Sequence, residues 1–212
     1  MFDTEPPGTS DTPLGRRADR RRAATRREIL DAAWTLCRRH GLAGLSLRDL
    51  AAEVGMRAPS LYSYFASKEA IYDAMFAEGQ RQLIDHLAFL PREGGTRDDL
   101  HAGSRAFFEF CTADPVRYQL MFQRVVPGFE PSPASYALAV ATLEHLAGSL
   151  AAAGVTDPHH VDLWTAVLTG LTDQQISNDP GGDRWGRLLD DAVDLLCDHA
   201  GIPRTPTPRT TP

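Results

Sequence analysis

The sequence predicts an all-α protein: an N-terminal three-helix domain containing a helix-turn-helix, joined by one long helix to a larger helical C-terminal body. Two observations predict it. Between Thr25 and His199 every periodic segment places its apolar residues at helical spacing, and none alternates as a strand does. The punctuation agrees: Asp114-Pro115, Ser132-Pro133 and Asp157-Pro158 each read as an N-cap followed by a proline in the first helical turn, where its missing N–H costs nothing.

Each element follows from its residues. Residues 1–22 are expected to form a disordered, Arg-rich arm, because the stretch holding Pro6, Pro7, Gly8 and Pro13 has too little apolar content to fold. A first helix over Thr25–His40 carries Ile29, Ala33, Leu36 and Cys37 on one stripe and stops at Gly41. A second opens with a capping box, Ser46 to Asp49, places Leu47, Leu50, Ala51 and Val54 on one face, and ends at Gly55. The third is short and aromatic. In "RAPSLYSYF", Arg57 to Phe65, Leu61 and Phe65 share one face, Pro59, Ser60 and Ser63 the opposite one, and Tyr62 and Tyr64 flank the outward side. So short a helix cannot hold itself together in water, so its neighbours must support it. Residues 23–67 thus make the helix-turn-helix domain.

The body is expected over residues 68–201. Ser67 caps a helix from Lys68 to about Leu87 with Ile71, Met75, Leu83 and Leu87 facing inward. Further helices fit residues 97–112, 115–125, 133–153, 158–176 and 184–199, with "DPGGDRWG" as a loop and helix start. The proline-rich stretch 202–212 is expected to be a disordered tail.

Composition places the chain among soluble proteins with a real core: 212 residues, 42% hydrophobic and 24% charged, with no apolar run approaching the roughly 18 residues of a membrane span. A cytoplasmic protein with no membrane partner is expected. Cys37, Cys111 and Cys197 are far apart and odd in number, which fits buried free thiols and neither a disulfide framework nor a zinc site. Adjacent His159 and His160 point about 100° apart on a helix, wrong for one metal, and His101, His145 and His199 form no i, i+4 pair. No nucleophile elbow or phosphate-binding glycine loop occurs. Hence no catalytic residue, metal or cofactor is expected, and Asp190 and Asp191 read as a solvated helix face.

The net charge of −6 hides an asymmetry: residues 16–68 hold twelve Lys/Arg against five Asp/Glu, residues 69–212 ten against twenty. A basic block on an acidic body is the pattern of a protein that meets a polyanion at one end. The helix-turn-helix gives that end its geometry. The second helix of such a pair fits the major groove, which turns Ser60, Tyr62, Ser63 and Tyr64 toward base edges and phosphates. Lys68 sits at a helix N-terminus, where free N–H groups favour a phosphate. Two readings stay open for Tyr64, at the edge of the apolar stripe: packing or contact. Arg48, on the outer face of the supporting helix, is a backbone contact or a solvated side chain, and "GRRADRRRAATRR", Gly15 to Arg27, is an arm tracking phosphates or a solubility tail.

The segment "LSLRDLAAEVGMRAPSLYSYFASKEAIYDAMF", Leu45 to Phe76, preceded by "TRREILDAAWTLCRRHG", resembles the N-terminal domain of TetR-like transcriptional regulators, with Gly41, Ala51, Gly55, Leu61, Tyr62, Phe65, Lys68 and Glu69 at matching positions. The resemblance implies an all-helical homodimer with one DNA reader per subunit and a C-terminal body for dimerisation and effector binding. Carried across by position, it makes Arg48, Arg57, Ala58, Pro59, Ser60, Tyr62, Ser63 and Tyr64 candidate base or backbone contacts, with Lys68 on phosphate. Pro59 departs from the small residue usual there, and Ser63 and Tyr64 from larger polar or histidine side chains, so the operator sequence does not transfer.

In the body, Phe107, Phe108, Tyr118, Met121, Phe122 and Trp164 read as core or as the lining of an effector pocket. Trp164, Leu168 and Leu171, with Trp185, Leu188, Leu189, Ala192 and Leu196, read as core or as a dimer interface paired across a two-fold axis. The function expected is a DNA-binding transcriptional regulator, a repressor released from a palindromic double-stranded operator by a small-molecule effector. The alternative is an activator, or a regulator that binds DNA without an effector.

Overall fold

The computed structural model describes residues 13–91 and 96–204. Among them there are nine α-helices and no strand: α1 (Pro13–His40), α2 (Leu47–Glu53), α3 (Ala58–Leu61), α4 (Lys68–Ala88), α5 (Arg97–Ala113), α6 (Pro115–Phe122), α7 (Pro133–Ala152), α8 (Pro158–Asn178) and α9 (Leu189–His199). The chain divides into two units, one of residues 1–75 with 125–129 and one of residues 76–124 with 130–212.

In the first unit α1, α2 and α3 pack on one another around Ile29, Ala33, Leu36, Cys37, Leu50, Ala51, Leu61 and Phe65, all buried. The periodic stripes of the sequence are therefore the core. Tyr72, in the first turns of α4, is 1% exposed, and its hydroxyl donates to the Leu42 carbonyl in the turn after α1. Burial pushes the Cys37 thiol up to about 11, which keeps it protonated and inert.

The first helix is longer than expected. Residues 13–22 belong to α1 rather than to a disordered arm, and α1 runs unbroken into the Thr25–His40 stripe. Low apolar content argued for disorder, but Arg and Ala are good helix formers, and one of these arginines, Arg22, ties the segment down as described below. Residues 1–12 lie outside the described residues.

The second unit is built on α5, which packs against α6, α7, α8 and α9, with α8 also touching α7 and α9. Its core joins Leu100, Phe108, Leu150, Trp164, Leu168, Leu189, Val193 and Leu196. The three Xaa-Pro starts form as expected: Asp114, Ser132 and Asp157 each accept a backbone N–H at the head of α6, α7 and α8. A full reciprocal capping box also opens α5, between Thr96 and Asp99. "DPGGDRWG" is a loop, organised by buried Gln175, whose Oε1 accepts from Trp185 N–H at 3.0 Å and Gly186 N–H at 3.2 Å. α9 accordingly starts at Leu189, after a 3-10 turn.

Ile202 does not belong to a disordered tail as expected. Ile202 is 4% exposed because α9 ends in a left-handed closure, with Ile202 N–H donating to the Cys197 carbonyl at 2.9 Å and seating the Ile202 side chain on the core. Residues 205–212 lie outside the described residues.

Asp190 is not a merely solvated carboxylate. Arg97, His101 and Arg105 on α5 and Asp190, Asp194 and Asp198 on α9 share the i, i+4, i+8 spacing and meet as a ladder. Arg97, 5% exposed, donates to Asp194 at 3.0 Å, to Asp198 at 2.5 Å and to the Ile202 carbonyl at 2.6 Å. Arg105 donates to both Asp190 oxygens at 2.6 Å.

Candidate functional site

The first candidate surface is the outer side of α3. α2 ends in a tight closure: Met56 N–H donates to the Ala51 carbonyl at 2.8 Å and Gly55 N–H to the Ala52 carbonyl at 3.1 Å. Gly55 sits at φ 65°, which strains any residue carrying a side chain, so the turn that aims α3 depends on this glycine. α3 starts after Arg57 with Pro59 in its first turn and tightens after Leu61, where Tyr64 N–H and Phe65 N–H both donate to the Leu61 carbonyl, at 2.8 and 2.9 Å.

Leu61 and Phe65 are buried, so the opposite face is turned out. Arg57, Pro59, Ser60, Tyr62 and Ser63 are exposed, as is Arg48 on α2, while Ala58 and Tyr64 are half-buried. Tyr62 is 56% exposed, an aromatic with no place in the core. Ser63 donates its hydroxyl to the Ser60 carbonyl at 2.6 Å, which commits its proton and leaves its lone pairs. Lys68 starts α4 after Ser67, whose hydroxyl accepts from Ala70 N–H at 3.2 Å, and the Lys68 ammonium lies 5.5 Å from the Tyr72 ring centre.

Two residues absent from the sequence reading of this face hold it in place. Arg22 donates to the Ser63 carbonyl and Arg26 to the Tyr64 carbonyl. The Arg22 guanidinium lies 5.4 Å from the Tyr64 ring centre and that of Arg26 4.1 Å from the Phe65 ring centre. Positive charge thus meets the carbonyl end of a helix too short to stand alone. Tyr64 is a packing residue as well as a neighbour of the outward face. The spacing was the available signal: residues 22, 26, 29 and 33 lie on one helical stripe, and two of them are buried core.

The second candidate site is a cavity of about 420 Å³ inside the second unit, bounded by α4, α5, α6, α7 and α8. Of the six expected lining residues, Phe107, Met121, Phe122 and Trp164 line it. Phe108 and Tyr118 do not. Phe108 packs in the core beside Gly186, and Tyr118, 1% exposed, donates its hydroxyl to the Thr169 carbonyl at 3.3 Å. Four of the cluster's six residues are wall and two are core. α6 approaches α4 closely at Gly79, where a Cβ would come 2.7 Å from the Met121 sulfur.

Sequence reasoning missed the polar groups of this cavity. Trp164 Nε1 donates to Ser104 Oγ at 3.1 Å, and Thr142 Oγ1 donates to Gln80 Oε1 at 3.2 Å. Gln80 is 1% exposed and its Nε2 has no partner. Its signal was a polar residue on an inward stripe, since residues 76, 80, 83 and 87 share one face of α4 and the other three are buried hydrophobics.

The expected dimer set divides. Trp164, Leu168, Leu189 and Leu196, each 7% exposed or less, are spent in the core of their own chain and have almost no surface left for a second copy. Leu171, Trp185 and Ala192 are half-buried, Leu188 is 43% exposed, and Leu195, on α9, is 71% exposed. Among the described residues no helix is long and apolar enough to cross a membrane.

The family described as bacterial regulatory proteins, tetR family, matches residues 29–75, the segment containing α2, α3 and the start of α4. The HTH-type transcriptional regulator Rv1816 of Mycobacterium tuberculosis is 29% identical over 111 residues, 51% of this chain and 44% of that protein. The chain spans about half the length of the curated relatives it matches. A tetR-family transcriptional regulator from Streptomyces coelicolor shares the fold with a TM-score of 0.66 at 20% identity, over 82% of this chain and 78% of that one. So does FadR of Bacillus subtilis, solved in complex with stearoyl-CoA, with a TM-score of 0.67 at 19% identity, over 79% of this chain and 95% of that one.

Proposed function

We propose that this chain, whose residues 29–75 carry the helix-turn-helix of the tetR family, is a transcriptional repressor that grips a palindromic operator as a homodimer and releases it when a small molecule fills its cavity. The observation that carries the reading is the outward face of α3, polar and exposed at Arg57, Ser60, Tyr62 and Ser63 while Leu61 and Phe65 anchor the helix from behind. Such a helix lies in the major groove, with Ser60, Ser63 and Tyr62 toward base edges. Arg48, Arg57 and Lys68 neutralise phosphates, as do the exposed Arg16, Arg17, Arg20 and Arg21 on the first turns of α1. The excess of twelve basic over five acidic residues across positions 16–68 draws this end to DNA.

A regulator without an effector is the competing reading, and the cavity favours the responsive one. α4 carries residues of both sites: Lys68 starts it and Gln80 lines the cavity. A ligand that prefers the released state by about 1–3 kcal/mol weakens operator binding about 5- to 150-fold, and by reciprocity operator weakens ligand binding equally. The dimer pairs through α8, α9 and the turn before α9, where Leu171, Trp185, Leu188, Ala192 and Leu195 keep surface to bury. Selection from a random duplex library tests the reading. A palindromic consensus with half-sites about 10 base pairs apart, or a near multiple, is expected. Equal binding to every sequence overturns it.

A further inference from the structure

The chemistry of the cavity wall selects its ligand, an inference that rests on the cavity being the effector site. The wall is chiefly apolar, with Leu87, Leu100, Phe107, Met121 and Leu146 among its residues. Among the described residues it contains no Lys or Arg. The one carboxylate among the described lining residues, Asp99, already accepts from the Thr96 N–H at 3.2 Å in the capping box of α5. Among the described lining residues an anionic ligand would find His145 alone as a counter-charge, and a charge brought into such a space unpaired is strongly disfavoured. The polar groups around it are largely matched to each other, Trp164 to Ser104 and Thr142 to Gln80. Gln80 Nε2 is the exception: a donor on a side chain 1% exposed, at the wall of the cavity, with no acceptor. Leaving a buried N–H unpaired costs free energy that a ligand oxygen would recover.

We propose that the cavity takes an uncharged, mostly hydrocarbon molecule bearing one acceptor oxygen, a ketone or ester carbonyl, which receives a hydrogen bond from Gln80 Nε2. At roughly 30 Å³ per water the cavity has the volume of about fourteen waters, so a molecule of roughly a dozen non-hydrogen atoms fits.

Three probes of equal chain length, 2-undecanone, 1-undecene and undecanoate, separate the terms when titrated calorimetrically into the full chain at pH 7.5. The ketone binds best, the alkene more weakly, and undecanoate not at all. Gln80→Leu weakens the ketone about three- to tenfold, as loss of one hydrogen bond should, and leaves the alkene unchanged or tighter. This variant should fold, because Thr142 keeps the Leu138 carbonyl at 3.3 Å as its acceptor and an unpaired buried donor is removed; its Tm without ligand equals or exceeds that of the parent. Gly103→Leu serves as the occlusion control: Gly103 lines the cavity, and a Cβ there meets no atom within 4 Å, so the new side chain occupies open space and abolishes binding of ketone and alkene alike. Undecanoate binding as tightly as the ketone, an unchanged ketone-to-alkene ratio in Gln80→Leu, or no binding by any probe each overturns the proposal. Ketone binding through Gln80 with no effect on the operator complex would leave the ligand class standing and overturn the effector reading alone.

Discussion

Replacing Arg26 by Ala separates holding the reader from holding DNA. In the folded chain Arg26 donates to the Tyr64 carbonyl and lies 4.1 Å from the Phe65 ring centre. A charged donor on a half-buried carbonyl contributes about 1.5 kcal/mol, and a partly exposed cation–π contact about 0.5–1 kcal/mol. Their overlap argues for a total near 2 kcal/mol. For a chain of this size about 1 kcal/mol moves Tm by roughly 2–4 °C, so Arg26→Ala should lower Tm by about 4–8 °C. Because the contact is internal, operator affinity should fall while the dependence of log K on log salt keeps its slope, and the amides of Tyr64 and Phe65 should exchange faster. Thermal melts, anisotropy titrations across a salt series and hydrogen exchange measure the three quantities. Unchanged Tm together with a slope smaller by about one would show Arg26 on a phosphate and refute the reasoning.

Lys68→Ala should behave in the opposite way, lowering the salt slope by about one and weakening operator and unrelated DNA alike; a slope that stays put removes Lys68 from the phosphate contacts. Leu195→Glu, at a position 71% exposed, should turn the proposed homodimer into a folded monomer by light scattering, and a variant that remains a dimer takes α9 out of the interface. Acid should loosen the α5–α9 ladder. Hydrogen bonds from His101 and Arg97 hold the Asp194 carboxyl below its ordinary 3.8, and one from Arg97 does the same for Asp198. The unfolded chain therefore takes up these protons first, so the ladder's contribution is complete above about pH 4 and fades as pH falls through the lower folded values. Melts of the parent between pH 5 and 2.5 should fall more steeply than those of Arg97→Leu, and parallel curves would remove the ladder from the acid response.

The helical class, the N-caps at Asp114, Ser132 and Asp157, the closure at Gly55 and the inward stripe of α4 were all legible in the sequence, because each is decided within one or two helical turns. The outward face of α3 was legible for the same reason, since burying Leu61 and Phe65 dictates which way Ser60 and Ser63 point. Other features depended on partners far along the chain. Residues 13–22 looked too polar to fold because composition carries no record of Arg22 reaching the Ser63 carbonyl, about forty positions away. The apolar stripes of α8 and α9 could serve a core or an interface with the same periodicity. Packing against α5 placed Trp164, Leu168, Leu189 and Leu196 inside and left Leu188 and Leu195 out. A cavity is likewise a volume that surrounding helices fail to fill, so Phe107 could become wall and Phe108 core although they are adjacent in sequence. The spacing of side chains sets which face of a helix is apolar, but only the assembly of helices decides whether that face meets protein, ligand or water.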